Sequence, residues 1–152
     1  MPRANQTPPV NRMAIAVLSL AGFFVAFYLL AHHLGWVGSL MCGVGDCATV
    51  QASKWAKMGP LPVPLLGVGG YVALLAVSLF GIPPAGTDSR VVSLVLLAFA
   101  TVAFGLSIWF TYLEAFVIHA WCQWCVVSAI LCTLIFLAAL PELKRLRNTE
   151  EA

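Results

Sequence analysis

Four long runs of apolar residues divide the sequence, and they limit the possible folds more than any other feature. They cover residues 13–33, 63–80, 91–113 and 122–140. Each run is close to the roughly 20 residues that a helix needs to cross the hydrocarbon core of a bilayer. Only 9% of the residues are charged, against about 25% in a typical soluble domain. The sequence therefore predicts an all-α membrane protein, built as a bundle of four transmembrane helices.

The segments outside these runs are short and polar. Residues 1–12 are predicted to form a disordered lead, and residues 141–152 a basic tail. A basic lead followed by an apolar run is also the pattern of a secretory signal peptide. The first run is long for such a peptide, and no small-x-small cleavage site follows it, so we expect a retained helix. One membrane domain then covers residues 13–140.

The basic residues predict the orientation of the bundle. Four spans place both termini on one side, and that side carries six of the eight Lys and Arg residues. They are Arg3, Arg12, Arg90, Lys144, Arg145 and Arg147. Because cytoplasmic loops carry an excess of Lys and Arg, we expect both termini in the cytoplasm. The long connection over residues 34–62 then faces an outer compartment where disulfides persist.

Two pairs of cysteines are predicted at that outer surface. Cys122 and Cys125 form a C-x-x-C at the start of the last span, where a helix N-terminus favours the thiolate. Cys42 and Cys47 lie in the first outer loop, in a Gly-rich segment that can move. Because a thiolate attacks a disulfide through a mixed disulfide, a mobile pair can pass electrons to a helix-held pair. The alternatives are a structural clip in the loop and an inert C-x-x-C, while Cys132 is predicted to be a core residue.

The first outer loop is predicted to contain a short amphipathic helix on the bilayer surface. Asp46 is a suitable N-cap directly before Cys47. Gly59 is the expected C-cap, and Pro60 would end the helix. Apolar residues would face the lipid while the lysines of the loop face phosphates or water.

Electrons that leave the C-x-x-C need an acceptor. The sequence has no Rossmann glycine pattern and no flavin motif, and Val126 follows Cys125 where a haem-attachment motif has histidine. A quinone that diffuses within the bilayer is the simplest acceptor. Ser53 is a candidate hydrogen-bond donor to a quinone oxygen. The candidate apolar walls are Trp55, Trp121 and Trp124, each of which is alternatively an interfacial anchor.

Glu114 and His119 lie shortly before the C-x-x-C. One interpretation is a pair of interfacial residues hydrated by water. The other is that either residue assists the release of protons during thiol oxidation.

In combination, these features resemble bacterial homologues of vitamin K epoxide reductase. The resemblance rests on the four spans, the Cys42-x4-Cys47 pair, Ser53 six residues after Cys47, and Cys122-Gln-Trp-Cys125 at the start of the last span, and it covers residues 13–140. Bacterial members of that family oxidise a periplasmic thioredoxin-like (DsbA-like) thiol oxidase and pass the electrons to ubiquinone or menaquinone. The resemblance implies that Cys42 exchanges with the partner and that Cys47 transfers to Cys122. It further implies that Cys125 faces the quinone, with Ser53 as the hydrogen-bond donor.

The sequence departs from that family at two points. Many bacterial members carry a fused thioredoxin-like domain, whereas this chain ends at Ala152, so we expect a separate partner protein. Ala129 stands where the animal enzymes have a tyrosine, which argues against epoxide reduction and leaves quinone reduction in place.

Two other classes of membrane protein share parts of this pattern. A second quinone-linked family that generates disulfides places its C-x-x-C in the first outer loop, and here the C-x-x-C comes last. Mercuric-ion carriers with four spans use paired cysteines because soft thiolates select soft metals. They need thiols near the cytoplasmic end, whereas the paired cysteines here share the outer surface. A soft-metal transporter is therefore the alternative function, with a non-catalytic membrane scaffold as a third.

Overall fold

A computed structural model describes residues 9–83, 86 and 89–151, so the predicted disordered segment over residues 1–8 lies outside the described residues. Within them, four helices are long and apolar enough to cross a membrane. The helices, in chain order, are α1 (Val10–His33), α2 (Cys47–Ala52), α3 (Val63–Phe80), α4 (Arg90–Tyr112), α5 (Gln123–Ala139) and α6 (Pro141–Glu151). Helices α1, α3, α4 and α5 are the spans. The prediction of an all-α membrane bundle is confirmed.

Helix α1 begins at Val10, within the segment predicted to be a polar lead. Arg12 is part of this helix, and its side chain has no exposed surface. Its guanidinium pairs with the carboxylate of Glu142 on α6, with 2.9 Å between Nη2 and Oε2. Because the charge is paired and hydrogen-bonded, the arginine can lie inside the bundle. The start of the first helix is therefore fixed by a residue near the other end of the chain.

The apolar core lies toward the chain termini and draws on all four spans. Its side chains in this half include Ile15, Leu74, Leu96 and Ile135. Helices α1 and α3 approach closely because Gly22 faces the ring of Tyr71, and a Cβ at Gly22 would overlap that ring. A second buried cluster lies at the opposite end of the bundle and contains the paired cysteines.

Helix α4 does not end where the sequence predicted. It continues as a π-helical turn, Leu113–Ile118, and stops at His119, whose φ of 57° is left-handed. A π turn inserts an extra residue into a helix and often marks a functional site. Here Glu114 is buried with 4% of its surface exposed, whereas His119 is exposed. The interpretation of these two residues as a hydrated interfacial pair is wrong for Glu114.

Helix α2 is shorter than the predicted amphipathic helix. Asp46 caps it as expected, because its Oδ1 accepts a hydrogen bond from the backbone N–H of Thr49 at 3.1 Å. Hydrogen bonds from the side chain and the backbone of Thr49 hold the pKa of Asp46 below its ordinary value. The chain leaves the helix at Ser53, where ψ is 157° and the backbone is extended.

A short hairpin then returns the chain to α3. A 3-10 turn over Lys54–Ala56 precedes two antiparallel strands, Lys57–Met58 and Leu61–Pro62. Gly59 lies between these strands with φ of +64°, so its prediction as a helix C-cap is wrong. The dipeptide of Gly59 and Pro60 favours a tight turn over a helix end.

Candidate functional site

The loop pair and the C-x-x-C are in different redox states. Cys42 and Cys47 form a disulfide, whereas Cys122 and Cys125 are free thiols. Cys42 is partly exposed, and Cys47 lies at the start of α2 with 1% of its surface exposed. The predicted pairs therefore exist as one oxidised and one reduced pair within the same end of the bundle.

The loop is fixed to the C-x-x-C through its backbone. Gly45 forms an antiparallel bridge with Cys122, and the N–H of Asp46 donates to the carbonyl of Trp121 at 2.7 Å. Gly45 has φ of +89°, and a Cβ at this position would overlap the Trp121 carbonyl oxygen. Glycine at this position therefore allows the loop disulfide to lie next to Cys122.

The two residues inside the C-x-x-C also hold the loop. The Oε1 of Gln123 accepts a hydrogen bond from the N–H of Gly43 at 2.8 Å. The indole N–H of Trp124 donates to the carbonyl of Met41 at 2.9 Å, and its ring meets Tyr28 edge-on with centroids 5.2 Å apart. The role of Gln123 was not predictable from the sequence, because nothing in the motif indicates where the loop docks.

Cys122 and Cys47 belong to one buried cluster with Leu29 and Val50. Cys122 has no exposed surface, and its sulfur caps α5 by accepting the N–H of Cys125 at 3.4 Å. Hydrogen bonds from the Cys125 side chain, and then from its backbone, lower the pKa of the Cys122 thiol to about 7. A lowered pKa was predicted from the helix N-terminus, and donors to the sulfur are its main local cause.

Two polar side chains touch the C-x-x-C from neighbouring elements. Glu114 accepts the N–H of Cys122 through Oε2 at 3.2 Å. The amide nitrogen of Gln51 lies 3.5 Å from the Cys125 sulfur and 4.0 Å from the Cys122 sulfur. Gln51 was not predicted as a site residue, although it lies four residues after Cys47 and so shares its helical face. That spacing is the signal that could have identified it.

A cavity of about 380 Å³ lies between the four spans and α2. This volume is within the range of roughly 300–1,000 Å³ that is usual for small-molecule sites. Cys125 lines the cavity, and Cys122 is not among the described residues that do. The walls are mostly apolar, with a few polar side chains. These polar groups are Gln51, Ser53, Tyr71, Ser107, Thr111, Glu114 and Ser128.

The predicted quinone-site residues divide into two groups. Ser53 and Trp55 line the cavity, and the Ser53 hydroxyl donates to the carbonyl of Val50 at 2.7 Å. In the described part of the chain, Trp121 and Trp124 do not line it. Trp121 is 47% exposed, and Trp124 donates to the loop at Met41. A role in quinone binding remains a prediction for Ser53 and Trp55. For Trp121 and Trp124, the described part of the chain shows no contact with the cavity that would support such a role.

Cys132 occupies the core position that the sequence predicted. It is 7% exposed, and its sulfur lies 3.2 Å from the Tyr71 hydroxyl. Tyr71 also bonds to the Ser128 hydroxyl at 2.6 Å. Within residues 9–83, 86 and 89–151, no group of three or more His, Cys, Asp or Glu side chains comes together to hold a metal ion.

Comparison with known proteins identifies the family. No curated protein matches the chain significantly. The sequence profile of the vitamin K epoxide reductase family matches residues 13–140, which is most of the chain. The loop disulfide and the adjacent C-x-x-C fit the thiol chemistry that this family implies, so the protein is a membrane oxidoreductase that acts on thiols. The chain therefore belongs to the vitamin K epoxide reductase family.

Proposed function

We propose that the protein reoxidises a thioredoxin-like thiol oxidase and passes the electrons to a membrane quinone, which supports disulfide formation. The observation that carries this proposal is the order of the cysteines in space. Cys42 is partly exposed, Cys47 and Cys122 share a buried cluster, and Cys125 lines an apolar cavity. This order leads from the protein surface to a site for an apolar acceptor.

Two thiol–disulfide exchanges carry the electrons from the partner to the C-x-x-C. A thiolate of the partner attacks Cys42 and breaks the loop disulfide, and the partner's second thiol then displaces Cys42, so that the partner leaves as a disulfide. The reduced loop next donates its electrons to a disulfide between Cys122 and Cys125, with Cys47 attacking Cys122 and Cys42 resolving the mixed disulfide. The loop disulfide and the free C-x-x-C thiols match the state that follows this transfer.

The cavity fits a quinone ring, because it is apolar and of suitable volume, and because Gln51 Oε1, buried and without a hydrogen-bond partner among the described residues, can accept from the reduced ring. When bound, a quinone supplies an acceptor for two electrons and two protons. Cys125 presents its thiol to the cavity, and Glu114 interacts with that thiol from the π turn. Glu114 accepts the proton that leaves Cys125, and Ser53 and Trp55 help to orient the ring.

The charges support one orientation. Both termini face the cytoplasm of a bacterial inner membrane, because six of the eight basic residues lie on their side. The two cysteine pairs then face the periplasm, where the partner protein is found. A fluorescent label on a cysteine added beyond Arg147 tests this, since only permeant reagents should reach it in intact cells.

The function is tested by following quinone absorbance in proteoliposomes that receive a reduced thioredoxin-like protein. Wild type should reduce the quinone, and Cys125→Ala should fall to the uncatalysed rate because the C-x-x-C disulfide cannot form. Thr133→Ala is the matched control, since this α5 side chain bonds only within its helix, to the carbonyl of Ala129 at 2.8 Å. Equal rates for wild type and Cys125→Ala would refute the relay.

The entry point is tested separately by trapping. In Cys47→Ala, Cys42 has no partner within the loop and should hold a thioredoxin-like protein as a stable mixed disulfide. Mass spectrometry of the captured species identifies the partner. If Cys42→Ala traps the same protein through Cys47, the assignment of Cys42 as the entry point is wrong.

A further inference from the structure

The two ends of the Gln51 side chain face different surroundings. Its Nε2 points to the sulfurs of the C-x-x-C, 3.5 Å from Cys125. Its Oε1 is buried and, among the described residues, has no hydrogen-bond partner. The side chain also lines the cavity. Gln51 therefore connects the reacting thiol with the space proposed for the quinone.

A buried carbonyl oxygen without a partner costs free energy, which a ligand that donates a hydrogen bond would recover. Two other polar groups of the cavity already have partners within the protein. The Ser53 hydroxyl donates to Val50, and the Tyr71 hydroxyl bonds to Ser128. Gln51 thus retains hydrogen-bonding capacity beside Cys125.

We propose that Gln51 contacts the reacting quinone oxygen, donating to it before reduction and accepting from it afterwards. This inference rests on the proposed function and adds a residue that recognises both the substrate and the product. A carboxamide carries a donor and an acceptor at equal reach, and rotation about its last torsion exchanges them.

The redox balance explains why both functions are needed. Closure of the disulfide between Cys122 and Cys125 releases two electrons and two protons, and the quinone takes up both pairs as its two carbonyls become hydroxyls. The oxygen that faces Gln51 then carries a hydrogen and becomes a donor as well as an acceptor. A residue that offers only a donor would leave this hydrogen without a partner, whereas Gln51 can match each form in turn.

The test measures binding without turnover. In a Cys125→Ser background, which cannot form the C-x-x-C disulfide, decylubiquinone and its quinol are titrated separately and followed by tryptophan fluorescence, as are menadione and menadiol. Gln51→Met keeps the size of the side chain and removes its polar atoms. We expect this variant to bind both the quinone and the quinol about five-fold more weakly, which is the effect of one hydrogen bond.

Ala52→Met is the matched control, because it places the same side chain on an exposed position of α2. This variant should bind the quinone and the quinol as tightly as the Cys125→Ser background does. If Gln51→Met unfolds, Gln51→Asn tests the same point by withdrawing the amide by one methylene, and the same direction is expected. Unchanged binding of either redox form would overturn the proposal. Failure of the unsubstituted background to bind any quinone would instead contradict the proposed function.

A second measurement separates contact from packing. In quinone-free protein, the loss of the Gln51 donor should shift the appearance of the Cys122 thiolate to higher pH, because that donor stabilises the anion. Glu114 and Cys125 face the same sulfur and are retained in this comparison. A titration identical to wild type would show that Gln51 only fills space.

Discussion

Gly45 is a single residue on which the contact between the two cysteine pairs depends. Its left-handed φ of +89° and its bridge to Cys122 hold the loop against the start of α5. A side chain there would be strained and would also overlap the Trp121 carbonyl. The proximity of Cys47 to Cys122 therefore rests on a position with no chemistry of its own.

We expect Gly45→Ala to slow electron transfer from the loop to the C-x-x-C about tenfold, since a left-handed non-glycine residue costs about 1–2 kcal/mol. Stopped-flow oxidation of the reduced loop pair measures this step. Gly43→Ala is the control, because its added Cβ meets only the Gln123 side chain at 3.5 Å. Equal rates in the two variants would mean that the bridge does not control the transfer.

The chemistry of the site was predictable from residue type and spacing, whereas its contacts were not. Cys42, Cys47, Cys122 and Cys125 were all identified from the sequence, and the structure brings them together. The contact of Gln51 with the sulfurs depends on how α2 docks on α5, which no local pattern specifies. Residues that act through tertiary contacts thus need the fold before they can be recognised.

At the scale of elements, the lengths of the spans follow from hydropathy, but their ends do not. The π turn after Tyr112 and the left-handed His119 reflect the packing of Glu114 against Cys122. Helix α2 ends at Ala52 because the chain must turn back into α3. Both features arise where an element meets another part of the fold.

The contact between α1 and α3 gives a prediction at this scale. Gly22→Ala should destabilise the bundle by about 1–3 kcal/mol, the usual cost of overpacking, because its Cβ would overlap the Tyr71 ring. Gly69→Ala, on an open surface of α3 with no atom within 4 Å, should be tolerated. Unfolding in mixed micelles measures the free energy of unfolding of both variants. Equal stability of both variants would show that α1 and α3 adjust freely.

At the scale of the whole molecule, one buried ion pair joins the ends of several helices. Arg12 donates to Glu142 through Nε and Nη2, each at 2.9 Å, and to the Gly81 carbonyl at 2.7 Å. Ser93 donates to the same carboxylate at 2.6 Å. This cluster connects α1, α3, α4 and α6 at the end opposite the cysteines.

We expect Arg12→Met to destabilise the protein by about 3–5 kcal/mol, because it removes the counterion 2.9 Å from the buried Glu142 carboxylate and leaves the more distant Arg145, at 3.9 Å. The double variant with Glu142→Leu should recover most of this loss. Arg147→Met, at an exposed position of α6, is the control. Denaturant unfolding in detergent measures the free energy of unfolding of all three variants. A single variant as stable as wild type would show that this cluster does not hold the bundle together.

The complete burial of Cys122 limits which reductants can reach its sulfur. Small soluble thiols cannot collide with its sulfur, and the docked loop covers the approach from outside. Under the proposed relay, electrons reach Cys122 through the loop disulfide, whose Cys42 is accessible only in part. Under the proposed relay, this arrangement excludes small thiols from direct reaction at Cys122.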